Sequence, residues 1–295
     1  MRLAGSITAL ITPFKGRALD EAALQGLIRF QLANGTSGLV PCGSTGEAAT
    51  LHGDEYRRVI ELTVRAAKGR APVIAGVGSN DTEKAVHLAQ EAAAVGADAL
   101  LVLVPYYNKP TQEGLFRHFE VVSKATRLPV VAYNIPGRTG VNMAPATLAR
   151  VARARRNVIA VKEASGSLDQ VSETLRLCPP GFTVLSGDDS LTVPMMSVGA
   201  SGVISVVSNV LPRETSRMVA AAARGDFRTA GALHRRLFPV MKALFVETNP
   251  IPVKAAAELM GLGSGKTRLP LTPAAAATRD ALRAAWKAAG LRLGR

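Results

Sequence analysis

Lys162 closes the apolar run Val158-Ile159-Ala160-Val161. A lysine at the end of such a run has two ordinary fates. It can snorkel to water on its aliphatic stem. If the run instead lines an apolar interior, its charged form is poorly solvated, its pKa falls, and neutral amine accumulates. A neutral amine adds to carbonyls and makes imines. Tyr133 ends the apolar run at 129–133. A phenol beside an amine can move protons as an imine forms and collapses; a core tyrosine with a satisfied hydroxyl has the same local sequence. Ser44 and Thr45 lie between Gly43 and Gly46. That turn can offer backbone N–H groups and hydroxyls to a carboxylate, although an ordinary tight turn reads the same way. Arg138, in Pro136-Gly-Arg-Thr-Gly140, carries a fork that fits a second carboxylate or simply faces solvent.

These residues need a frame that brings them together. Short runs rich in Val, Ile and Leu recur at 6–11, 38–42, 72–77, 99–104, 129–133, 157–162, 182–186 and 202–206. They are almost continuously apolar, as strands buried on both faces of a parallel sheet must be. Amphipathic stretches separate them at 20–33, 54–67, 81–94, 111–126, 144–154, 168–177, 190–198 and 212–224. Several begin with acidic or capping residues, such as Asp20-Glu21 and Gly53-Asp54-Glu55. Eight strand–helix repeats are the number that closes a (β/α)₈ TIM barrel, with an open doubly wound sheet as the alternative. The barrel domain is expected over 1–224. From 225 to 295 the pattern is helical, at 227–245, 252–260 and 273–289, giving a C-terminal helical appendix that packs on the barrel or on a neighbouring subunit.

In such a barrel, chemistry sits where the strands end. Those ends carry Gly43-Ser-Thr-Gly-Glu47, Gly78-Ser-Asn-Asp81, Pro105-Tyr-Tyr-Asn-Lys-Pro110, Tyr133–Gly140, Lys162-Glu-Ala-Ser-Gly166, Ser186-Gly187-Asp188-Asp189 and Ile204-Ser205. Gly187 and Ile204 join Ser44, Thr45 and Arg138 as candidate substrate-binding positions.

Other chemistries fit poorly. The segment Gly261-Leu-Gly-Ser-Gly-Lys-Thr267 imitates a phosphate-binding loop, but Met260 stands where its first glycine belongs and a helix precedes it. Gly76-Val-Gly-Ser-Asn-Asp81 has Asp81 in place of the third glycine of a dinucleotide fingerprint. His52, His87, His118 and His234 are scattered without metal-ligand spacing. The net charge is +14, yet its arginines and lysines are spread along the chain, with few aromatics among them. That distribution suits a basic surface better than a nucleic-acid or membrane site. No apolar stretch has the length of a membrane span. Two cysteines, Cys42 and Cys178, and no secretory leader point to a reducing cytoplasm.

Five segments together carry a resemblance: Gly43–Glu47, Pro105–Pro110, Tyr133–Gly140, Val161-Lys-Glu-Ala-Ser-Gly166 and Asn249-Pro-Ile-Pro-Val-Lys254. In their order and spacing the chain resembles the dihydrodipicolinate synthase and N-acetylneuraminate lyase family over essentially its whole length. The resemblance implies a class I aldolase-type lyase in which Lys162 forms a Schiff base with pyruvate. It makes Tyr133 a proton relay. It has Thr45 pass protons and, with Ser44, hold the pyruvate carboxylate. It has Tyr107 complete the relay across a tight dimer interface, and Ile204 lie against pyruvate through its backbone. Arg138 is the mark of the synthase branch, where that arginine receives the carboxylate of L-aspartate 4-semialdehyde. No metal or organic cofactor is implied, and the expected assembly is a homotetramer, a dimer of dimers. Ser44 stands where the synthase branch usually has threonine and sialic acid lyases often have serine. Another keto-acid aldolase or dehydratase of the family is therefore the alternative activity. Ala48, Gly53 and Lys84 replace the Ser, His and Glu typical of lysine-sensitive members. An acceptor is lost and a like charge added, which predicts weak or absent lysine feedback.

Overall fold

The computed structural model describes residues 1 and 3–293; Arg2, Gly294 and Arg295 lie outside it. Eight strands form one parallel sheet: Gly5–Ala9 (β1), Gly38–Val40 (β2), Ile74–Gly76 (β3), Ala99–Leu103 (β4), Val130–Asn134 (β5), Val158–Glu163 (β6), Thr183–Ser186 (β7) and Gly202–Ser205 (β8). The spatial order is β2-β1-β8-β7-β6-β5-β4-β3. Its two ends meet, because Leu39 and Val73 form a parallel bridge. Leu39 N donates to Pro72 O at 2.9 Å and Gly76 N to Pro41 O at 3.0 Å. The sheet is therefore a closed (β/α)₈ barrel, and the open-sheet alternative falls away.

The continuous apolarity of the strands has a direct cause. Side chains alternate across a strand, and both faces are covered. One set, including Ile7, Val40, Ile74, Leu101, Val131, Ala160, Leu185 and Ile204, fills the barrel interior. The intervening set, including Leu39, Ala75, Leu100, Val130, Val161, Val184 and Val203, packs under the helices.

The helices are Glu21–Ala33 (α1), Gly53–Ala67 (α2), Thr82–Ala94 (α3), Gln112–Lys124 (α4), Pro145–Ala154 (α5), Leu168–Leu177 (α6), Thr192–Ser197 (α7) and Pro212–Ala223 (α8). Asp20 caps α1 as expected, its Oδ1 accepting from Ala23 N at 3.0 Å. Element ends differ from the expected ones by a few residues. β1 stops before Ile11 because the Ile11 N–H donates to Asn209 Oδ1 at 3.0 Å and so leaves the ladder. β2 stops before Pro41, which has no N–H to give. β6 runs one residue further than expected, to Glu163.

Three helices follow: Phe227–Ala243 (α9), Ile251–Leu259 (α10) and Ala276–Ala288 (α11). α9 packs on α8 and on α11, burying Leu237, Val240 and Met241, while α11 buries Leu282 and Trp286. The connections on either side of α10 reach the Gly43–Glu47 turn, through Asn249 on Thr45 and Arg268 N on Glu47.

Candidate active site

Lys162 sits on β6 with Tyr133 of β5 as its register partner on one side and Leu185 of β7 on the other. Val161 faces the helices, so Lys162 must face inward. Only 4% of Lys162 is exposed, and its Nζ lies 4.3 Å from the centroid of the Tyr133 ring. Burial lowers its pKa from 10.5 to about 8, against the pull of the Asp189 and Asp188 carboxylates and with some help from Arg138. At about pH 8 roughly half of such an amine is neutral, against about one part in 300 for an ordinary lysine.

Tyr133 is buried, and that burial raises its pKa. The nearby Arg138 charge acts the other way. A phenol held neutral is equipped to give a proton rather than to carry a standing charge.

The 43–47 turn is closed by Gly46 N donating to Gly43 O at 3.0 Å and Glu47 N to Ser44 O at 3.2 Å. Glu47 leaves it in the left-handed region, with φ 54°. That conformation costs energy for a residue with a Cβ and needs outside support. The support is a buried ion pair: Glu47 Oε1 accepts from Lys254 Nζ at 2.5 Å, and Glu47 Oε2 from Arg268 N at 3.0 Å. Lys254 Nζ also donates to Thr12 O at 2.9 Å, and the Thr12 hydroxyl donates to Gly46 O at 2.7 Å. Thr45 Oγ1 accepts from Asn249 Nδ2 at 3.0 Å. The proton relay expected of Thr45 therefore starts from a hydroxyl already held by Asn249.

Arg138 lies on the helical turn Pro136–Thr139 that follows β5. The turn is held by Thr139 Oγ1 donating to Ile135 O at 3.1 Å. The exposed Arg138 guanidinium reaches back over the barrel mouth, and its Nη2 donates to Asn249 O at 3.0 Å. Ile204 is fully buried in the interior cluster that also contains Tyr133 and Leu185. Gly187 N donates to Glu163 O at 2.7 Å. A Cβ at Gly187 would come within 2.6 Å of Ala164 Cβ, so only glycine lets β7 end this close to β6. Tyr107 is the exception among the expected site residues. It is 87% exposed, with φ 69°, and within one chain it is not brought to Lys162.

Four features escaped the sequence reading. Asp189 is buried beside Lys162 and accepts from Ser205 Oγ at 2.5 Å, Val206 N at 2.9 Å and Val207 N at 3.1 Å. Glu163, one residue past the lysine, faces outward and accepts from Asn134 Nδ2 at 3.2 Å, Gln170 Nε2 at 3.0 Å and Ser165 N at 2.7 Å. This lashes the ends of β5 and β6 together. The Glu47–Lys254 pair and Asn249 complete the set. Their segments were visible in the sequence as pieces of the family resemblance, but nothing there paired Glu47 with Lys254 or Thr45 with Asn249. Among the described residues, no group of three or more His, Cys, Asp and Glu side chains is arranged to hold a metal ion. No described helix is long and apolar enough to cross a membrane.

The model of the dihydrodipicolinate synthetase family matches residues 2–289. The chain belongs to that family. Its relatives are full-length matches. The 4-hydroxy-tetrahydrodipicolinate synthase of Pelobacter propionicus is 52% identical over 97% of this chain and 99% of its own. That of Syntrophus aciditrophicus is 50% identical over 97% and 98%. Among solved structures, the dihydrodipicolinate synthase of Aquifex aeolicus is 48% identical with a TM-score of 0.96, over 99% of both chains. The one from Thermotoga maritima is 45% identical with a TM-score of 0.97, over 99% of this chain and 100% of its own. A family barrel thus carries the buried lysine and its tyrosine neighbour at the carboxyl ends of β6 and β5.

Proposed function

We propose that the chain is a 4-hydroxy-tetrahydrodipicolinate synthase, condensing pyruvate with L-aspartate 4-semialdehyde. The observation that carries the proposal is Lys162: interior, dehydrated, and over the ring of Tyr133. Its neutral amine attacks the C2 carbonyl of pyruvate, and loss of water leaves the imine. Tyr133 and Thr45 move the protons this requires. The 44–45 turn holds the pyruvate carboxylate, with Ile204 and Gly187 lining the same space. Loss of a C3 proton gives the enamine, whose C3 attacks the aldehyde carbon of the second substrate. Arg138 holds that substrate's carboxylate by a bidentate contact. The substrate's own amine then adds to C2 and expels Lys162, closing the ring and returning the free lysine. The imine on Lys162 is the electron sink that allows the C3 proton to leave.

The exposure and left-handed backbone of Tyr107 support its use by a second copy of the chain, within the dimer of dimers that the family resemblance implies. Sedimentation analysis of wild type and Tyr107→Phe, with activity measured on each, tests that assignment.

Borohydride trapping with pyruvate, followed by mass mapping, tests the central claim. The adduct belongs on Lys162; an unmodified Lys162 overturns the proposal. Adding L-aspartate 4-semialdehyde, or in its place other aldehydes and sugar-derived keto acids, then decides between the synthase and another aldolase of the family.

A further inference from the structure

We infer that Asn249 is a positioning residue that fixes the direction in which Thr45 gives its hydroxyl proton. The inference rests on the reading that the 44–45 turn holds a keto-acid carboxylate. Asn249 lies between α9 and α10, outside the strand ends that supply the rest of the site, and is 6% exposed. Its Nδ2 donates to Thr45 Oγ1 at 3.0 Å, and among the described residues that is the only hydrogen bond made by the Thr45 side chain. A hydroxyl has one proton to give and lone pairs to receive with. With a lone pair of Thr45 occupied by the amide N–H, its own proton is left to be given to another acceptor. A carboxylate only accepts, so a site for one needs donors. Asn249 thus makes Thr45 a donor. Its backbone carbonyl meanwhile receives Arg138 Nη2 at 3.0 Å, so a single residue spans the holders of both substrate carboxylates.

The polarity of this contact is testable, because Asn249→Asp preserves shape and reverses it. An ionised carboxylate would take the Thr45 proton for itself, turning the hydroxyl away from pyruvate. A protonated carboxyl can donate again and restore the direction. The titratable groups around the contact are Arg138, Tyr133, Lys162 and the Glu47–Lys254 pair. They are shared by variant and wild type, so the ratio between the two isolates the new group.

The readout is the pyruvate concentration that half-saturates cyanoborohydride trapping on Lys162 in the full-length protein. Asn249→Asp should raise it about tenfold to a hundredfold near pH 8. The gap to wild type should close as pH falls toward about 5.5 and the carboxyl protonates. In a Thr45→Val background the same substitution should cost less than about twofold, since the partner hydroxyl is gone. A penalty below about twofold near pH 8, a penalty equal in both backgrounds, or a gap that does not narrow with falling pH each overturns the inference. If circular dichroism shows Asn249→Asp to be unfolded, the cycle is run with Asn249→Ala and Thr45→Val. Non-additive losses support the coupling, and additive losses refute it. Failure of wild type to be trapped at all overturns the keto-acid reading, and this inference with it. Wild-type trapping with an indifferent variant overturns the inference alone.

Discussion

Replacing Lys254 with methionine removes one half of the buried pair that holds the 43–47 turn. The side chains of Lys254 and Glu47 are 0% and 2% exposed, so neither charge has water to fall back on. Methionine fills most of the lysine stem's volume, which limits the cavity left behind. The cost comes from what stays: a Glu47 carboxylate with Arg268 N as its remaining donor, a Thr12 carbonyl without Lys254 Nζ, and a Glu47 backbone at φ 54°. Breaking a buried pair from one side costs about 3–5 kcal/mol. Burial already lowers the pKa of Lys254, so dehydration cancels part of the pair's attraction and the lower half of that range is expected. For a chain of this size, about 3–4 kcal/mol corresponds to a fall in melting temperature of roughly 6–10 °C. Thermal unfolding followed by circular dichroism at one fixed protein concentration measures it. Combining Lys254→Met with Glu47→Gln removes the orphaned charge and should restore about half the loss. Pyruvate trapping should weaken well below the melting range, because the turn loses its anchor before the barrel unfolds. A fall of less than about 2 °C, or a double variant no better than the single one, refutes the argument.

Three further outcomes follow from the site. Imine formation needs neutral Lys162, so the trapping rate with pyruvate should rise with pH and level off just above about pH 8; a rate still climbing at about pH 10 would mean an ordinary, solvated lysine. Arg138→Ala should leave pyruvate trapping within about threefold of wild type but raise the semialdehyde KM about tenfold to a hundredfold, and lysine at that position should rescue it poorly; equal losses for both substrates would remove Arg138 from its assigned role. L-Lysine should not inhibit at sub-millimolar concentration, given Ala48, Gly53 and Lys84. Initial rates measured against rising L-lysine check this, and half-inhibition in the sub-millimolar range refutes it.

The barrel was legible in the sequence because it is written in local terms. Each strand is apolar on both faces and each helix on one, so their alternation survives reading one residue at a time. Lys162 was legible for the same reason, as a charge ending an apolar run that alternation turns inward. Ends were less so, because a side chain from far away decides them: Asn209 takes the Ile11 N–H and cuts β1 short. The supports of the site were invisible on the same ground. Nothing near Glu47 announces that Lys254, 207 residues later, neutralises it. Nothing near Thr45 announces that an asparagine 204 residues away sets its hydrogen bond. Ser44 and Thr45 are adjacent hydroxyls and read as equivalent in the sequence; only the partner from far along the chain, Asn249 on Thr45, tells them apart.

The separation between the turn and its supports also dates the appearance of activity during synthesis. All eight strands and Lys162 have been made once the chain reaches residue 205, and N-terminal segments leave the ribosome first. Thr12 already meets Gly46, but the partners of Thr45 and Glu47 arrive only with Asn249, Lys254 and Arg268. A nascent barrel can therefore close around its lysine while the carboxylate-holding turn is still slack. The amine that would react with cellular keto acids exists early; the grip that makes such a reaction productive is added by the last fifth of the chain.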